Sequence, residues 1–142
     1  MERARDDERE GKSPSTQAGE FVREEMEHIR EGEHGARSPE QAIAIGLSKA
    51  RRAGVKLPPP KRGKARTKTQ AKRDLAKARA GHRKKTSRRR SRATKAALKR
   101  ESRGSASKTA LSRHAKRAAA RRSARSRSAA AKKAAQTRKR RR

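Results

Sequence analysis

Between Lys61 and Arg142 the chain carries 21 arginines and 14 lysines against two acids, a net +33. Side chains of this kind at this density displace the counterions of a polyanion and hold its phosphates. The candidate contacts fall in the densest runs. Lys61, Arg62, Lys64 and Arg66 follow a proline stop, and Arg83, Lys84, Lys85, Arg88, Arg89 and Arg90 form a second cluster. Arg121 and Arg122 make a third, and Arg138, Lys139, Arg140, Arg141 and Arg142 end the sequence. Duplex DNA carries one charge per ~1.7 Å of axis, so this excess matches roughly 16 base pairs. Recognition by base stacking needs aromatic side chains, and the chain has a single one, Phe21, placed in an acidic stretch. Phosphate contact remains, which favours duplex DNA, with structured RNA as the alternative.

The charge is sorted along the chain. Residues 1–50 hold 8 basic and 12 acidic side chains, a net −4; residues 51–142 hold 38 basic side chains against Asp74 and Glu101, a net +36. Leu, Ile, Val and Phe together number 11 of 142, and after Leu57 only Leu75, Leu98 and Leu111 remain. Such a composition predicts a segment that cannot bury enough apolar surface to offset its chain entropy. The expected fold class is therefore small all-α: a helical hairpin over about residues 16–57, with a long basic low-complexity tail that is disordered or nascent helix over 58–142. Each late leucine has a lysine three residues before it, in a K-x-x-L-x-[KR] pattern. Like charges at i,i+4 should keep the tail from helix until a polyanion neutralises them.

Other chemistry is poorly supplied. There is no cysteine, hence no disulfide, thiolate metal site or thiol nucleophile. Gly11-Lys12-Ser13 looks like half of a phosphate-binding loop, but Asp6 stands where the leading glycine belongs. Glu24 and His28 are one helical turn apart and could share a metal with Glu31 or His34, although a solvated acidic face explains them equally well. No serine has a legible His–acid partner in an apolar surround. The expectation is a non-enzyme with no cofactor and no metal. No stretch approaches the ~18 apolar residues of a membrane span, and Met1-Glu2-Arg3-Ala4-Arg5-Asp6 has no apolar signal core.

Two elements must carry whatever order the front half has. Residues 1–15 read as a flexible leader. Val22, Met26 and Ile29 recur at helical spacing beside Phe21, predicting a helix over about 20–31 that ends at Gly32. Ser38, Pro39 and Gln41 form a capping box for a second helix over about 39–53, in which Ile43 and Leu47 align. Gly54 and the Pro58-Pro59-Pro60 run end it. Phe21, Val22, Met26, Ile29, Ile43 and Leu47 are the expected packing residues. At about 40 residues the module is small enough that a homo-oligomer or another partner could complete its burial. Beyond it, Pro60-Lys61-Arg62-Gly63-Lys64-Ala65 is similar to an AT-hook, with Lys64 in place of the second arginine.

Two resemblances complete the reading. Glu25-Met26-Glu27-His28, Gly32-Glu33-His34-Gly35 and the stretch Ser38–Gly54 with its QAIAI-x-LS-x-AR core resemble a family of small, functionally uncharacterised bacterial proteins. Those proteins carry a QAIAIALSEARKAG-type segment and a basic C-terminal extension. Gly46 and Lys49 stand where Ala and Glu are frequent there, which should loosen the helix and change its charge. The resemblance implies a bacterial origin and transfers no activity. The tail resembles, in composition only, the arms of linker histones and bacterial histone-like proteins. The resulting expectation is a cytoplasmic, nucleoid-associated protein that binds DNA without regard to sequence. An RNA-binding or ribosome-associated protein, and an adaptor with a basic tether, are the alternatives.

Overall fold

The computed structural model describes residues 2–80 and 87–140, and no strand occurs among them. They divide into two compact units, residues 1–107 and 108–142. The first holds α1 (Glu2–Arg9), α2 (Pro14–Glu31), α3 (Pro39–Arg52), α4 (Ala65–Arg79), α5 (Arg88–Lys99) and a 3-10 turn, Arg103–Ala106. The second holds α6 (Lys108–Ala120) and α7 (Ala124–Arg140).

Local chemistry starts and stops the central pair. Ser13 and Ser38 cap α2 and α3, accepting hydrogen bonds from the Thr16 and Gln41 backbone amides, each with proline next in line. The side chain of Gln41 accepts from the Arg37 backbone amide at 2.9 Å, one residue before the cap. Gly32 ends α2 at φ +86, a left-handed conformation that favours glycine. Helices α2 and α3 pack face to face. Phe21, Met26 and Ile29 are buried, while Val22, Ile43 and Leu47 are half-buried. Helix α2 begins at Pro14, six residues before the expected start.

Gly46 decides how closely the two helices approach. A Cβ there would lie 2.7 Å from Val22 Cα and 3.0 Å from the Phe21 carbonyl oxygen. Rather than loosening α3, this glycine is the position where the α2 backbone rests on α3. The core continues in small residues. Ala4 of α1 and Ala50 of α3 join Ala18 and Phe21, with Leu47, Val55 and Leu57 packed alongside.

Two expectations are overturned. The leader is not without structure: α1 spans eight of its residues, buries Ala4, and places Asp7 2.7 Å from Lys12 Nζ. The basic tail is not a disordered or nascent helical arm either, because α4, α5, α6 and α7 are formed helices within it. Counting large apolar side chains hid this. Among the described residues, seven of the ten buried apolar side chains are alanines, Ala71 of α4 and Ala106 of the 3-10 turn included. Alanine costs no side-chain entropy on burial and is the best helix former, so it can hold elements that bulkier residues would usually anchor.

Polar contacts fasten α4 and α5 to the front half. Asp74 is 2% exposed and accepts hydrogen bonds from Ser48 Oγ of α3 at 2.6 Å and from Gln70 at 3.1 Å. The Gly35 amide donates to the Leu98 carbonyl at 2.8 Å, and the Ala36 amide to that of Ser102 at 3.1 Å. Arg30 Nε reaches the Ala106 carbonyl at 2.9 Å, and Glu101 faces Arg37 at 3.7 Å. Only glycine fits at position 35, since a Cβ would meet the Glu101 carbonyl oxygen at 1.9 Å.

Among its described residues the second unit has no buried side chain. Neither α6 nor α7 buries a residue. Their helicity rests on the propensities of Ala, Lys and Arg, with Ser123 accepting from the Ser126 amide at 3.2 Å where α7 begins. No helix among the described residues is long and apolar enough to cross a membrane.

Candidate nucleic-acid interface

The charge falls into three blocks along the chain. Residues 1–60 hold 11 basic and 12 acidic side chains, net −1; residues 61–107 hold 20 basic against 2 acidic, net +18; residues 108–142 hold 15 basic and no acid, net +15. Both acids of the middle block face residues of the front half. Asp74 is buried on Ser48, and Glu101 is half-buried and paired with Arg37. The exposed charge of α4 is consequently all positive: Arg66, Lys72, Arg73, Lys77 and Arg79. A lone acid in a basic run could have been a loss of charge at the surface. It is instead the fastener that leaves the outer face of α4 cationic.

The cationic residues picked out from the sequence fall into several settings. Lys61, Arg62 and Lys64 lie exposed in the connection to α4, and Arg66 is in its first turn. Arg62 and Arg66 line a cleft of about 510 Å³ between α3 and α4, with Ala44, Leu47 and Ala71 among its other walls. Arg88, Arg89 and Arg90 form the exposed first turn of α5. Arg121 and Arg122 join α6 to α7, with Arg122 Nη2 3.2 Å from Ser126 Oγ. Arg138, Lys139 and Arg140 form the last turn of α7. Arg83, Lys84, Lys85, Arg141 and Arg142 lie outside the described residues.

Helix α7 also carries Arg125, Lys132 and Lys133, which the density of runs did not single out. Arg125, Lys132 and Lys139 recur every seven residues, and Lys133 and Arg140 follow one position behind. At 3.6 residues per turn these five share one side of a helix about 25 Å long. The heptad spacing was the signal that could have found them.

Not every cation is available to a ligand. Arg51 is 7% exposed and donates to the carbonyls of Leu57 at 3.2 Å, Leu47 at 3.5 Å and Pro58 at 3.4 Å. Burial lowers its pKa from the usual arginine value, with Asp74 acting weakly in the opposite sense. It is a strap for the chain leaving α3. Lys49 Nζ lies 2.5 Å from Glu25 Oε2, and His34 Nε2 lies 3.2 Å from Glu25 Oε1. Glu25 is fully buried, and neither contact has hydrogen-bond directionality, so the Lys49 ammonium is the charge that offsets its desolvation.

The remaining motifs take structural parts. Gly11-Lys12-Ser13 is the joint between α1 and α2: Gly11 sits at φ +67, Lys12 pairs with Asp7 and Glu10, and Ser13 is the cap. Those two carboxylates, Asp7 first, raise the Lys12 pKa above the usual lysine value. In the hook-like segment Gly63 turns at φ +124 and Lys64 is already the N-cap of α4. His28 faces Glu33 at 3.8 Å, and no group of three or more metal-ligating side chains occurs among the described residues. Leu75, Leu98 and Leu111 of the K-x-x-L pattern are half-buried, one in each of α4, α5 and α6.

Comparison with known proteins covers the front half only. No curated protein and no solved structure matches the chain. Residues 13–62, which span α2, α3 and the connection toward α4, match the model of a family of unknown function, DUF6496.

Proposed function

We propose that the protein is a non-enzymatic, sequence-independent DNA-binding protein that works by neutralising phosphates, with the nucleoid of a bacterial cell as its place of action. One observation carries the reading: α4 turns its only acid, Asp74, inward, and α5, α6 and α7 contain none, so formed helices present cations alone. Preformed helices lose less chain entropy on binding than a disordered arm would. A major groove ~12 Å wide admits an α-helix, and a one-sided row such as that of α7 suits contact with phosphates rather than base edges.

Fluorescence anisotropy with a labelled random-sequence duplex tests this. With ~10 phosphates engaged, log K falls with log salt at a slope near −9, equally for unrelated sequences. A slope shallower than about −3 defeats the proposal. Competition with double-stranded RNA at physiological salt separates the DNA reading from its RNA alternative: displacement of the duplex DNA by less RNA than unlabelled DNA would assign the protein to RNA.

A further inference from the structure

We infer that a single chain holds two duplex segments at once, one on the α4–α5 block and one on the α6–α7 unit; this rests on the nucleic-acid reading above. The two cationic blocks are close in size, net +18 and +15, and the boundary between the compact units falls between them. At one duplex charge per ~1.7 Å they match roughly 9 and 7 base pairs respectively. Each therefore has use for a polyanion segment of its own.

Folding anchors the first block to the front half of its own unit. Helix α4 is fixed to α3 through Asp74 and Ser48, and the end of α5 is fixed to the α2–α3 loop through Leu98, Ser102 and Glu101. A flexible arm of the same composition would wrap one duplex with all its cations. A block mounted on a near-neutral scaffold leaves its charge uncompensated when another duplex face is neutralised elsewhere, and so recruits a second segment.

The test uses the full chain. A ~150-base-pair duplex is fixed to beads, protein is added below saturation, and capture of a second, fluorescent duplex is measured while sedimentation gives the oligomeric state. Capture by monomeric protein is expected. A variant with Arg125, Lys132, Lys133, Lys139 and Arg140 all replaced by Gln keeps its helix, because Gln is a good helix former. It should still bind the first duplex through α4–α5, with the salt slope set by that block and little changed, but lose at least about tenfold in capture of the second. Replacing Arg88, Arg89 and Arg90 with Gln should reduce capture in the same sense from the other block. Binding to the first duplex without capture of a second, or capture only where the protein is dimeric, overturns the two-duplex inference and leaves the DNA reading standing. Failure to bind the first duplex removes both.

Discussion

Gly46→Ala should destabilise the protein, although helix propensity argues the reverse. Within α3 the change gains about 1 kcal/mol from propensity alone. The new Cβ would stand 2.7 Å from Val22 Cα and 3.0 Å from the Phe21 carbonyl oxygen. Both are backbone atoms of a packed helix and cannot swing aside, so α2 and α3 must separate. Overpacking of this kind costs about 1 to 3 kcal/mol, leaving a net loss of about 1 kcal/mol. For a cooperative unit of this size that lowers the melting temperature by about 4 °C. Gly19→Ala is the control: Gly19 is also helical, exposed, and has nothing within 4 Å of its would-be Cβ. It should raise the melting temperature instead. Thermal unfolding followed by circular dichroism at 222 nm reads both variants. Equal rises in both would show that propensity decides at position 46 and that α2 and α3 do not meet there. The outcome bears on the interface as well, since Ser48, which holds α4, lies two residues beyond Gly46.

Asp74→Ala should leave Ser48 Oγ without its buried acceptor and cost about 1.5 to 3 kcal/mol; hydrogen exchange of the α4 amides should quicken, and an unchanged pattern would mean α4 is held some other way. Lys49→Met should cost about 2 kcal/mol, between a surface and a buried ion pair, because Glu25 keeps only His34; a urea midpoint shift typical of an exposed lysine would contradict that. Lys12 has a folded pKa raised by Asp7 and Glu10, so its contribution is complete below the unfolded lysine value of about 10.4 and is lost as pH climbs through the higher folded value. Stability measured from pH 9 upward should fall less steeply in Lys12→Met than in the parent; identical profiles would dismiss the Lys12 linkage.

By itself the sequence determined the local grammar and the charge. Ser38 and Pro39 start a helix, Gly32 and Gly54 stop two, and of the Val22, Met26 and Ile29 spacing Met26 and Ile29 are buried with Phe21 while Val22 is half-buried. These are short-range effects of caps, dihedral preference and period, which need no partner to be legible. The sorting of acids from bases is legible too, because it is composition. What only the tertiary structure decided is which parts of that charge face outward. Asp74 in a basic run reads as an isolated exception until Ser48, 26 residues earlier, is placed 2.6 Å from it. Arg51 reads as one more cation until it is found strapped to three carbonyls. Alanines read as filler until Ala36, Ala71 and Ala106 are buried. A methyl group has too little surface to announce burial through hydrophobicity, and a carboxylate announces only its charge. Both acquire their part from what lies opposite them, and that depends on contacts between residues distant in sequence.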